Sequence, residues 1–443
     1  MRVQYERLYK YTSHSIRIDI YRLCTFSSDE DGKGLVHPTA TCGMELTPAF
    51  RGLVCPACTA ESESVFDQQC PSCGAPLEST YAYDKLSAAE LFEQSEAGGQ
   101  GQGHWRFDAL LPFDRSTAIS AAEGETPLCA ADRLVDELGV GEVYIKDEGR
   151  NPTGTVYDRG MSLVATALSG HDDPSDLEPL ALASTGNSGQ SAAAYVGRLG
   201  LRSYAFVPSR TAFSNKAMIN VHGGQMRVVG GRYGDAAGAV DEQLAADYYS
   251  LQEFATPYRH DGAKTLAFEL YSDLGEVPDV VFVPTSTGEI VTGVSRGFDE
   301  LTKIGATDSV PTIVAVQPTS CAPIATALQE GRESPEPWTH PDTIIGELEV
   351  ADPAGGTQAV DTLRQLDGAA VTVDDSDSLD AATTICHNEI IEMGASGGAA
   401  AAGAWQWAED GEFDGDETVV IVNTDGGVKT PDILRSHLMG QGR

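Results

Sequence analysis

"PLALASTGNSGQSAAAYVGRLG" (residues 179–200) runs from a short apolar stretch, through a turn of Ser, Thr, Gly and Asn, into an Ala-rich segment. An apolar run this short reads as a buried strand, the small polar residues suit a tight turn, and the alanines propagate a helix. The unit recurs. "DVVFVP" (279–284) leads through "TSTGEIVTG" (285–293) into "VSRGFDELTKIG" (294–305). "TIVAVQP" (312–318), "AAVTV" (369–373) and "ETVVIVN" (417–423) are further apolar runs bounded by turn residues. Strands alternating with amphipathic helices predict an α/β fold with a parallel sheet covered on both faces. Its ligand cleft is expected beyond the C-terminal ends of the strands, where loops meet helix N-termini.

At 443 residues the chain exceeds one ordinary core, so two lobes are expected. With 41% hydrophobic residues and no apolar run near the roughly 18 residues of a span, no membrane association is expected. The 66 Asp+Glu against 29 Lys+Arg give a net charge of -37, which argues against nucleic acid as a partner. Only eight lysines are present, and the acids are spread through loops and helix faces as in a halophilic protein kept hydrated by surface carboxylates. A cytoplasmic location follows as an expectation.

Two pairs of cysteines, Cys55/Cys58 and Cys70/Cys73, each have CxxC spacing and are separated by eleven residues. Two such turns complete a four-thiolate site of the structural zinc kind, and no secretory signal argues for disulfides instead; two reduced or redox-active pairs are the alternative. Residues 1–43 differ from the rest, with a net charge near +1. They read as an atypical extension, disordered or loosely attached, although "SIRIDIYRL" alternates like a strand. The expected organisation is therefore the extension (1–43), a zinc ribbon (44–82), a Gly-rich linker and docking segment (83–124), and a core (125–443) whose smaller lobe spans about 160–275.

Five motifs in order resemble the threonine synthase family. "IKDEGRNPTGTVYDRG" (145–160) is similar to the family's NPTGSFKDRG, "ASTGNSGQSAAAY" (183–195) to its STGN loop and "PYRHDGAKTLAFEL" (257–270) to its PYRLEGQKT. "NTDGGVKTPD" (423–432) is similar to its TGHGLKDP ending, and "QPTSCAPIATALQEG" (317–331) falls between in the expected order. The resemblance runs from about residue 44 to the end. It implies a two-lobed pyridoxal-phosphate (PLP) enzyme of fold type II, like the tryptophan synthase beta chain, carrying an N-terminal zinc ribbon.

Two departures fall on the implied cofactor site. Tyr157 stands where the motif has its Schiff-base lysine, and a phenol cannot form that linkage. The family's glycine-rich phosphate loop, resembling VPVGNGGN, here reads Thr285-Ser286-Thr287-Gly288-Glu289 after Val283-Pro284, keeping one glycine and placing a carboxylate beside the expected phosphate. Glu289 turned out to solvent as a helix N-terminal acid is the alternative.

Other positions match. By resemblance Asn187 meets the cofactor's ring hydroxyl, Thr424 its pyridine nitrogen, and Ser184, Thr185, Gly186 and Ser188 a substrate carboxylate, while Arg259 takes the substrate's phosphate. Read alone, Ser184 and Thr185 are helix caps and Arg259 an ion-pair partner. Lys146, Lys216, Lys264 and Lys429 are the amines to check as replacements. Covalent PLP is not expected.

The leading expectation is a noncatalytic or catalytically divergent relative that keeps a pocket for an amino-acid-like or phosphorylated small molecule, as a homodimer or beside a partner enzyme. The alternatives are an active PLP enzyme acting on O-phosphohomoserine or a related amino acid, and a zinc-ribbon interaction protein.

Overall fold

The computed structural model describes residues 44–89, 91–92, 102–245 and 247–442. The 1–43 extension, with its alternating "SIRIDIYRL", and residues 93–101 of the Gly-rich linker lie outside the described residues.

The first two strands, β1 (Phe50–Val54) and β2 (Glu78–Tyr81), pair antiparallel and carry the cysteine turns between them. The docking segment follows as a 3-10 stretch, Gly103–Leu110, that buries Trp105, Phe107 and Leu110.

Six strands build the larger sheet: β3 (Leu128–Ala130), β4 (Glu142–Asp147), β9 (Val280–Pro284), β10 (Thr312–Pro318), β11 (Ala369–Val373) and β12 (Thr418–Asn423). Their order is β11-β10-β9-β12-β4-β3, and only the edge strand β3 runs antiparallel. Ile421 of β12 lies level with Phe282 on one side and Ile145 on the other. Both faces of these strands are covered by helices, which is why they read as continuous apolar runs.

A smaller sheet is all parallel, in the order β7-β6-β5-β8, from β5 (Leu180–Ala183), β6 (Ser203–Pro208), β7 (Gln225–Val229) and β8 (Tyr249–Ser250). The result is the two-sheet, helix-covered α/β architecture of fold type II. The C-terminal ends of β5, β9 and β12 deliver three loops, 184–188, 285–288 and 424–430, that carry the family-like motifs.

Two helices cross at these loops with almost no space between their backbones. A Cβ on Gly160 would sit 2.6 Å from the Arg259 carbonyl, and one on Gly262 would sit 2.4 Å from the Arg159 carbonyl. Glycine at both points lets the Tyr157–Ser169 helix touch the Tyr258–Leu274 helix, which brings Tyr157 and Arg259 together. Beneath the crossing, Arg159 is wholly buried and bridges Glu148 and Glu269, so its charge is compensated twice.

Candidate functional site

The loop 285–288 ends at the Glu289–Lys303 helix, with Gly288 as its N-cap at φ +92°. A side chain at Gly288 would be strained by that φ and would press on the Gly355 carbonyl at 2.7 Å. Glu289, the first helical residue, turns inward and is 2% exposed. Its carboxylate takes a two-pronged ion pair from Arg259, Nε to Oε1 at 3.0 Å and Nη2 to Oε2 at 2.5 Å. Arg259 is 1% exposed, donates also to the Leu251 carbonyl at 2.9 Å, and lies 3.4 Å from Glu253. Burial pushes the Glu289 carboxyl above its ordinary range, against the pull of Arg259.

Tyr157 covers this pair. Its ring centre is 5.6 Å from the Arg259 guanidinium carbon, and its phenol lies beside Ser286. Burial, then the Glu289 charge, pushes the phenol above its ordinary range, so it stays protonated. Four sequence-selected residues, Tyr157, Ser286, Glu289 and Arg259, thus form one cluster in which every charge already has a partner. The outward alternative for Glu289 does not hold here, because a bidentate partner inside the fold outweighs hydration at the helix end.

The neighbours in this loop make backbone contacts. Thr285 Oγ1 donates to the Val283 carbonyl, and the Thr287 carbonyl accepts from Gly355.

In the 184–188 loop Ser184 is a local cap, its Oγ accepting from the N–H groups of Gly186 and Gly189 at 2.9 Å each. Gly186, at φ +141°, sits against Asn215 and leads into the Asn187–Arg198 helix. Asn187 donates to Asp425 at 2.7 Å, and Ser396 donates to the same carboxylate at 2.8 Å. The Thr424 carbonyl accepts from the Val156 N–H at 2.9 Å. Burial raises the Asp425 carboxyl against those two hydrogen bonds. The Oδ1 of Asn187 and the hydroxyl of Ser188 are buried without a partner.

Of the four lysines, Lys146 is held by Glu269 at 2.8 Å and Lys264 by Glu300 at 3.0 Å, both buried. Lys216 and Lys429 instead line a cavity of about 650 Å³ between the 184–188 loop and the C-terminal segment. Thr185 faces this cavity and Arg259 does not line it. Glu347 also lines it, with its Oε2 unpartnered. Burial first, then the charge of Asp425, raises the Glu347 carboxyl to about 7. Sequence reading missed Asp425 and Glu347. Asp425 was visible as an acid where the TGHGLKDP ending has glycine, whereas Glu347 lies in no recognised motif.

The cysteines form a second site. The N–H of Thr59 donates to the Cys55 carbonyl and that of Gly74 to the Cys70 carbonyl, each at 2.8 Å, so the two turns repeat one geometry. All four sulfurs lie within 4.8 Å of one another, with 3.5 Å between Cys55 and Cys73 and 3.6 Å between Cys58 and Cys70. A tetrahedral zinc with ligands at about 2.3 Å needs sulfurs about 3.8 Å apart, so the donor set fits that ion.

Comparison with known proteins agrees with this fold. Residues 119–425 match the model of the "Pyridoxal-phosphate dependent enzyme" family. The threonine synthase of Methanocaldococcus jannaschii is 31% identical over 363 residues, covering 81% of this chain and 88% of the relative. That of Methanosarcina acetivorans is 30% identical, covering 86% and 92%. Among solved structures, the diaminopropionate ammonia lyase of Escherichia coli superposes with a TM-score of 0.62 at 19% identity, over 81% of this chain and 94% of that one. At that identity the likeness speaks for the fold alone.

Proposed function

Because the chain belongs to the threonine synthase family of pyridoxal-phosphate-dependent enzymes, we propose that it is a noncatalytic or catalytically divergent member that retains a pocket for a small amino-acid-like or phosphorylated ligand. The observation that carries this reading is the buried Arg259–Glu289 pair beneath Tyr157.

A helix N-terminus attracts an anion because its N–H groups and dipole present positive charge. Here the anion is the chain's own Glu289 carboxylate. A phosphate brought to the same place must displace a carboxylate from its guanidinium, and a dianion beside an anion is repelled. Tyr157 offers no amine, and the Asn187 amide nitrogen already donates to Asp425, with its Oδ1 left without a partner. These residues do not fit PLP held as the family's motif implies, so no reaction step is assigned to it.

The same reading assigns zinc to Cys55, Cys58, Cys70 and Cys73 as a structural ion. Its four donors leave no open position for chemistry.

Borohydride reduction of the purified protein, followed by intact and peptide mass analysis, tests the cofactor part. The expected result is no pyridoxyl adduct and no threonine formed from O-phosphohomoserine. An adduct on any lysine, Lys429 included, overturns the noncatalytic reading.

A further inference from the structure

The 650 Å³ cavity is a better place for an anionic ligand than the Arg259 cluster. One wall is the start of the Phe213–Val221 helix, whose first intrahelical bond runs from Lys216 N to the Ala212 carbonyl. The N–H groups ahead of it point out of the helix, with the positive end of the dipole. Thr211, two residues before that helix, lines the cavity at 7% exposure and its hydroxyl has no partner. A buried hydroxyl without a protein partner gains by a hydrogen bond to a ligand placed beside it. Lys216 donates to the Ser209 carbonyl at 2.9 Å and has no carboxylate in ion-pair range among the described residues.

The lining also carries Lys429 and Glu347, 5% and 8% exposed. Lys429 donates to Gln190 at 2.6 Å, and burial lowers its ammonium below the ordinary range. Glu347 keeps one oxygen free. Arg210 lines the same cavity but is consumed by Glu349, with both carboxylate oxygens within 2.9 Å. The groups left to meet a ligand are the hydroxyls of Thr211 and Thr185, two ammonium groups and helical N–H donors, with carboxyl oxygens of Glu347 and Asp432 also on the lining.

We propose that this cavity is the ligand site of the protein. It takes a small molecule whose oxyanion, phosphate or carboxylate, docks on the helix start with Thr211 and Lys216, and whose amino group meets Glu347. The proposal rests on the reading that Arg259 is unavailable to ligand. It moves the anion contact from Arg259, where the sequence motif placed it, to residues of a cavity that Arg259 does not line.

Calorimetric titration of the full-length protein with O-phosphoserine, inorganic phosphate and succinate tests it. O-phosphoserine is expected to bind. Lys216→Gln should weaken it on the order of tenfold, Thr211→Val several-fold, and Arg259→Gln combined with Glu289→Gln by less than twofold. Glu347→Gln should weaken O-phosphoserine while leaving inorganic phosphate unchanged, because only the former carries an amine. Competition by phosphate alone identifies a phosphate site, and competition by succinate alone a carboxylate site.

The proposal is overturned if O-phosphoserine does not bind, if the Lys216 and Thr211 variants bind as the parent does, or if the loss appears only in the Arg259/Glu289 pair. These outcomes are separate from a pyridoxyl adduct, which would sink the functional reading instead.

Discussion

The cysteine ribbon and the cofactor-side cluster are both small polar constellations at chain turns, yet they have opposite completeness. In the ribbon four sulfurs converge with spacing that suits one ion. In the cluster, Arg259 and Glu289 satisfy one another, and Tyr157 covers them. A site built for a ligand leaves its donors short of partners. Once its charges pair internally, a ligand must break that pairing before it can bind.

The largest effect expected from this contrast is at the ribbon. Cys58→Ser should release zinc and unfold residues 44–82 while the core persists, since structural zinc contributes roughly 10 kcal/mol or more to segments of this kind. Metal analysis with limited proteolysis would check it, and a metal-free parent protein with an intact ribbon would break the comparison.

At the cluster, Arg259→Met alone should cost about 3–5 kcal/mol, because it leaves the Glu289 carboxyl buried without a partner. Adding Glu289→Met should recover most of that loss. Denaturant unfolding of both variants measures the coupling, and additive losses would mean the pair is not the closed unit described here.

Glu347 sharpens the contrast, since it is a cleft carboxyl that has not been neutralised by an arginine fork. Its carboxyl is raised to about 7 in the folded protein, so the folded state holds a proton that the unfolded chain has lost. Stability should therefore fall as the pH rises from about 4.5 through 7, by on the order of 3 kcal/mol. Glu347→Gln should flatten that slope, as read from melting curves across the range. An unchanged slope would place the titration elsewhere.

The smallest effect, about tenfold in PLP affinity, concerns reversal. Tyr157→Lys restores an amine but leaves Glu289 on the helix start, so little aldimine absorbance should appear. Adding Glu289→Gly should raise PLP affinity by about tenfold or more over the single variant, with non-additive coupling between the two positions. An equal absorbance band in both variants would show that Glu289 does not oppose phosphate.

Much of the fold was legible because buried parallel strands write themselves as unbroken apolar runs. "DVVFVP", "TIVAVQP" and "ETVVIVN" correspond to β9, β10 and β12, and the order of motifs along the chain gave the family. The cluster was half legible. Motif position marked Tyr157, Glu289 and Arg259 as neighbours in one site, but a motif assigns each residue a ligand and carries no record of side chains that choose each other. Asp425 shows the same limit, since its hydrogen bond to Asn187 joins positions 238 residues apart.

What the sequence by itself determined was the α/β class, the family and the four-thiolate pattern, because each is written in local periodicity or in spacing along the chain. Only the tertiary structure decided that Glu289 faces inward to Arg259, that Lys146 and Lys264 are consumed by buried carboxylates, and that Lys216, Lys429 and Glu347 share one cavity. The physical reason is that a buried charge must find a partner or give up its charge. Which partner it meets depends on the helix crossing at Gly160 and Gly262 and on the loops that strand ends deliver to one cleft.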